Sequence, residues 1–72
     1  MGAGQLNVVE KKVLGAMLII ADDQMNVTST NSFIANKMGY KRSGGAITFA
    51  IQALEMKNFI YVLGKGRYQV LL

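Results

Sequence analysis

Gly64-Lys65-Gly66 stands between two short runs of alternating apolar residues, Phe59 to Leu63 and Arg67 to Leu72. No other feature limits the fold of this chain as much. Glycine takes positive backbone angles without steric cost, so such a tripeptide favours a tight antiparallel turn. A three-residue loop pairs Leu63 with Arg67, Val62 with Tyr68 and Ile60 with Val70. Ile60, Val62, Tyr68 and Val70 then share one face, so turn chemistry and apolar alternation agree on one register. The opposite face carries Phe59, Tyr61, Gln69 and Leu71, apolar enough to be partly covered by another element or a second subunit.

Upstream of the hairpin the period changes from two to about 3.6 residues. Asn7 followed by Glu10 has the residue types of a reciprocal helix cap, and the apolar-rich stretch after it predicts a first helix to about Ala21. Leu6, Val9, Val13, Ala16, Met17 and Ile20 fall on one face, with Leu14 and Ala21 at its edge, while Val8 and Ile19 fall opposite. These two are the expected dimer contact. Asp22-Asp23-Gln24 ends the pattern and turns the chain, and Met25 to Thr28 reads as a short extended stretch. Thr30 or Asn31 caps a second helix through Phe33, Ile34, Lys37 and Met38, which Gly39 stops in a left-handed conformation. Tyr40, Lys41 and Arg42 make a turn, and Ser43 is the expected cap of a third helix over about residues 43 to 57. Its buried stripe is Ile47, Ala50, Ile51 and Leu54, and its wet face is Gly44, Gly45, Thr48, Gln52 and Glu55. Phe49 and Met56 are expected to be packing residues, and Asn58 ends the helix in a left-handed conformation.

Composition narrows the chemistry. Seventy-two residues make one domain, and the sequence has neither cysteine nor histidine. Disulfides, thiolate and imidazole metal sites and cysteine nucleophiles are therefore excluded, and stability must come from a 51% apolar content. Residues 1 to 23 set Lys11 and Lys12 against Glu10, Asp22 and Asp23, a balance of −1. Residues 24 to 72 set Lys37, Lys41, Arg42, Lys57, Lys65 and Arg67 against Glu55, a balance of +5. A polyanion is the natural partner of so concentrated a positive charge. Lys11-Lys12 before Val13 to Ala21 mimics a signal peptide, but Ile19 would sit where a small residue is needed for cleavage, and nine residues are too short to span a bilayer. The expected location is the cytoplasm, with no membrane partner. Residues 1 to 5 are expected to be a disordered leader, and residues 6 to 72 the domain.

The order of helix, short strand, helix, tight turn, helix and hairpin resembles the winged helix-turn-helix family of DNA-binding domains. Phe33-Ile34-Ala35-Asn36-Lys37-Met38-Gly39-Tyr40 looks like the second helix and turn of that family, and Ser43 through Leu54 to Phe59-Ile60 is similar to its recognition helix and exit into the wing. Gly64-Lys65-Gly66-Arg67-Tyr68 resembles a common wing tip. The resemblance covers about residues 6 to 72. It implies an α+β fold, a winged helix-turn-helix of three helices with a C-terminal β-hairpin wing. It also implies that Ser43, Gly44, Gly45, Thr48 and Gln52 meet bases or phosphates in the major groove. Lys37, Lys41 and Arg42 would then sit near one DNA backbone strand, and Lys65 and Arg67 near another. Lysine and arginine neutralise phosphates, whereas Gln and Thr can address base edges. Many family members carry an arginine where this chain has Phe49 or Gln52, so either Gln52 and Thr48 suffice with help from DNA shape, or sequence preference is weak.

The expected function is thus non-catalytic binding of double-stranded DNA by a homodimer, most simply a transcriptional regulator, without cofactor, metal or small-molecule substrate. A factor in replication or partition, or a winged-helix protein-interaction module, is the alternative. The glycines from Gly39 to Gly45 lack the Gly-Lys-Ser/Thr ending of a nucleotide loop. Asp22-Asp23, neighbours at a helix end, are read as solvated rather than catalytic.

Overall fold

The first helix begins where the cap chemistry places it. In the structure, a computed structural model that describes residues 5–39 and 44–71, Asn7 accepts a hydrogen bond from the Glu10 N–H at 2.8 Å and donates its own backbone N–H to Glu10 Oε1 at 3.2 Å. This reciprocal pair satisfies two donors that a helix start leaves free. Helix α1 (Val8–Ile20) buries Val13, Leu14, Ala16 and Met17 and leaves Val8 and Ile19 exposed. At its far end the Asp22 carboxylate accepts from the N–H groups of Gln24 and Asn26, both at 2.9 Å. This closes the turn and directs the chain into β1 (Asn26–Thr28). Met25, at the head of that strand, has a φ of 65°, and its carbonyl accepts from the Val70 N–H at 2.9 Å.

Thr30 caps α2 (Asn31–Lys37) through its hydroxyl, which accepts from the Phe33 N–H at 3.1 Å. Gly39 follows the helix with a φ of 89°. Helix α3 (Gly45–Met56) starts later than expected: Gly44, not Ser43, holds the cap position, with no side-chain hydrogen bond. The Gly44 carbonyl accepts from the N–H groups of Ile47 and Thr48 at 3.1 and 3.5 Å. Two glycines in succession resist helix at about 1 kcal/mol each. Gly45 is nevertheless wound as the first helical residue while Gly44 stays extended, and the stripe of Ile47, Ala50, Ile51 and Leu54 is buried. Asn58 turns the chain out of the helix at a φ of 66°.

Strands β2 (Ile60–Gly64) and β3 (Arg67–Val70) form the hairpin, with Ile60 opposite Val70 and Val62 opposite Tyr68. One pairing differs from expectation. Arg67 faces Gly64 rather than Leu63, and the register shifts between Val62 and Gly64. Gly66, at a φ of 73°, closes the turn. Leu63 bulges out of the ladder, which lets Val62 keep its place over Tyr68. Strand β1 adds to the other edge of β3, Val27 opposite Tyr68, so the sheet order is β1-β3-β2 with all pairs antiparallel. The Ser29 N–H donates to the Gly66 carbonyl at 2.8 Å and ties the hairpin loop to the end of β1.

Among the described residues the result is a small α+β fold of three helices and a three-stranded antiparallel sheet. Its core joins Met17 and Val13 of α1, Ile34 of α2, Ile47 and Leu54 of α3, Val27 of β1 and Ile60 of β2, all fully buried. Each such side chain contributes about 1.5–3 kcal/mol through removal from water. Helix α1 packs on both α2 and α3, which leaves the far side of α3 to solvent and to the hairpin. No helix in the described residues is long and apolar enough to cross a membrane.

Candidate nucleic-acid interface

A groove of about 570 Å³ runs between α3 and the hairpin. One wall is Thr48, Gln52 and Glu55, exposed residues of α3, and the other is Lys65 and Gly66 at the hairpin loop. Ile51, Val62 and Tyr68 lie beneath, and Thr30 and Asn31 close the end nearest α2. The Tyr68 hydroxyl is 3.4 Å from Asn31 Oδ1, and burial pushes its phenol above the usual range. The tyrosine therefore stays a neutral donor across physiological pH. The groove combines an apolar floor with hydroxyl, amide and ammonium groups on its rim, and Glu55 is the acidic member.

Of the residues proposed to bind DNA, Thr48, Gln52 and Lys65 are brought together around this groove. Gly44 and Gly45 are exposed at the start of α3. Lys37 is exposed on α2, its ammonium 5.3 Å from the centre of the Phe33 ring, a cation–π distance that favours one orientation of the chain. It stands apart from the groove walls. Arg67 is exposed beside the buried Tyr68, so strand alternation puts it on the outer face of the sheet with Gln69. Lys65 and Arg67 thus leave the hairpin on different sides. Lys41, Arg42 and Ser43 lie outside the described residues. The proposed dimer residues Val8 and Ile19 are 67% and 70% exposed on α1.

Phe49 and Met56 are not packing residues. They are 71% and 82% exposed, because on a helical wheel both fall nearly opposite the stripe centred on Ile47 and Leu54. The same wheel that identified the stripe carries this signal. Gly45, Phe49, Gln52 and Met56 together form the outermost ridge of α3.

The pairing of Glu10 with Lys57 was not visible in the sequence. Glu10 is 6% exposed, and the Lys57 ammonium donates to its Oε1 at 2.7 Å and to the Gln5 carbonyl at 2.8 Å. The hydrogen bond from Lys57 lowers the Glu10 pKa against a burial effect that raises it, with the Asn7 N–H helping to lower it. Lys57 is therefore spent inside the domain and is removed from the charge available to a polyanion. Asp22 is exposed, in keeping with its reading as solvated, and is also a turn-closing acceptor, a role for which its place two residues before Gln24 is the local signature. Among the described residues no group of three or more acidic side chains is disposed to hold a metal ion.

Comparison of the chain with protein-family models, with curated proteins and with solved structures finds no match.

Proposed function

We propose that this protein is a winged helix-turn-helix domain that binds double-stranded DNA without catalysis, as a homodimer in the cytoplasm, and regulates transcription. The observation that carries this reading is the groove: Thr48 and Gln52 of α3 face Lys65 of the hairpin loop across about 570 Å³. A helix of this kind lies in the major groove while the hairpin reaches the neighbouring backbone, and a phosphate strand then passes between them. The order of elements, three helices followed by a hairpin, supports the same reading, as does the excess of basic over acidic residues beyond residue 23. Lys65 supplies affinity that is independent of sequence. Gln52 and Thr48, one turn apart on the exposed side of α3, are the residues suited to base edges.

Homodimerisation rests on the exposed Val8 and Ile19 of α1. A second reading, a protein-interaction module, is favoured by Tyr61 and Leu71, exposed on the outer face of the sheet. Titration with a random-sequence duplex and with duplexes enriched from genomic fragments, each at two salt concentrations, separates the two. DNA binding gives an affinity that falls steeply with salt, whereas no association with either duplex at low salt refutes it. Gln52→Ala should weaken the enriched duplex by about 1–3 kcal/mol and leave the random one nearly unchanged.

A further inference from the structure

The outer ridge of α3 carries a feature that phosphate binding leaves unexplained. Phe49 exposes 71% of its surface and lies next to Thr48 and one turn before Gln52, on the part of the helix that the proposed function turns toward DNA. A Cβ placed on Gly45 would lie 3.8 Å from Phe49 Cε2, so the ring lies back along the helix over a residue with no side chain. Gly45 thus leaves the ring resting on bare backbone, close to the helix start. The ridge of Gly45, Phe49, Gln52 and Met56 carries no charge; its polar member is the Gln52 amide, and the Thr48 hydroxyl and the Glu55 carboxylate flank it on the groove side. An apolar ring among such groups fits a surface that is mostly polar but has isolated apolar points. The floor of the DNA major groove is such a surface, because thymine projects a 5-methyl group there among hydrogen-bonding edges.

We infer that Phe49 is a specificity-determining contact that recognises the 5-methyl group of thymine in the major groove. The inference rests on the proposed DNA binding and extends it: Gln52 and Thr48 take hydrogen-bonding edges, and Phe49 takes the methyl group beside them. It also accounts for a phenylalanine at a solvent-exposed helix position, where water contact with the ring is unfavourable.

The test uses duplexes that differ only in that methyl. The full chain is titrated with an alternating adenine–thymine duplex of 30 base pairs and with the same duplex carrying uracil for thymine. The unmodified protein should bind the thymine duplex about fourfold more tightly for each methyl contacted, the weight of one buried methyl-sized group. Phe49→Ala should bind the two duplexes equally, and Phe49→Leu should keep part of the preference. An alternating guanine–cytosine duplex should gain affinity when its cytosines are 5-methylated, because that methyl occupies the same place in the groove. Equal binding of thymine and uracil duplexes by the unmodified protein overturns the inference while leaving DNA binding intact. So does a preference that survives in Phe49→Ala. Failure of the unmodified protein to bind any of these duplexes at low salt removes the proposed function as well. Loss of self-association in Phe49→Ala, without a thymine preference in the unmodified protein, assigns the ring to a protein contact and overturns the inference. Melting curves of both variants confirm that they fold, as expected for an exposed side chain.

Discussion

Lys57 Nζ lies 2.7 Å from Glu10 Oε1 and joins the end of α3 to the first turn of α1. The carboxylate is also held by the Asn7 backbone N–H, so one side chain serves both a helix cap and a link between helices. Removing the lysine therefore disturbs two structures that share an acceptor.

The first expected outcome concerns pH. The pKa of Glu10 is lowered from its ordinary value of 4.5, chiefly by the hydrogen bond from Lys57. A carboxylate whose folded pKa lies below its unfolded one adds stability that is complete above the unfolded value and is lost as pH falls through the folded one. The melting temperature should thus drop on acidification below about pH 4.5. Lys57→Met should lower it near neutrality and make the acid-side fall shallower. An NMR titration should move the Glu10 carboxyl upward in that variant. Identical acid-side slopes in both proteins would remove the pair from the pH dependence.

The hairpin loop gives a paired test of backbone geometry. Gly66 has a φ of 73°, and a Cβ there would stand 3.0 Å from the Ser29 carbonyl oxygen, whereas one on Gly64 would meet nothing within 4 Å. Gly66→Ala should cost about 1–3 kcal/mol through left-handed strain and crowding against a backbone atom. That lowers the melting temperature by roughly 4–8 °C per kcal/mol in a domain of this size. Gly64→Ala should be close to neutral, and equal losses in the two variants would contradict the assigned turn.

Opposite charges on the two walls of the groove should act in opposite directions on DNA. Lys65→Ala should reduce the salt slope of binding by about 0.9 if the ammonium neutralises one phosphate. Glu55→Gln should strengthen binding about two- to fivefold at low salt, the scale of an exposed charge interaction. A weaker complex after Glu55→Gln would mean that this carboxylate accepts a hydrogen bond from the ligand rather than repelling it.

Assembly is tested on the other side of the molecule. Ile19→Glu places a charge on the exposed ridge of α1 and should convert a dimer to monomers with weaker DNA binding. Sedimentation that shows the unmodified chain to be monomeric at tens of micromolar concentration, roughly that of ordinary assays, would instead leave Val8 and Ile19 as plain surface residues.

Local chemistry explains what was legible in the sequence. The cap of Asn7 with Glu10, the left-handed Gly39 and Asn58, the buried stripe of α3 and the pairing of Val62 with Tyr68 each depend on residues close in the chain or across one turn. What escaped depends on longer range or on competition. The contact of Lys57 with Glu10 spans 47 positions, and no periodicity encodes it. A serine is a good cap in isolation, and nothing local in Ser43-Gly44-Gly45 marks Gly44, which holds the cap of α3 without a side chain. Alternation and loop length share one parity only in a regular ladder, and the bulge at Leu63 absorbs the difference. The groove was legible only as separate residues. Lys65 meets Thr48 and Gln52 across it because β2 packs on α3, whereas Arg67, two residues on, leaves by the opposite face.

The central place of β3 also governs how the sheet can assemble. Strands β1 and β2 each pair with β3 and not with each other, so neither has a partner until β3 is in position. Joining Asn26 to Gln69 closes a loop of roughly 40 residues, an entropic cost that depends only weakly on length but must be met before the pairing yields any return. The hairpin of β2 and β3 closes locally and quickly. Docking of β1 is therefore the expected late event, and it brings the Ser29 contact to Gly66 and the Met25 contact to Val70 together. Amide exchange should accordingly show Ser29 and Val70 opening with a common free energy, while the helix interior around Leu54 stays closed for longer.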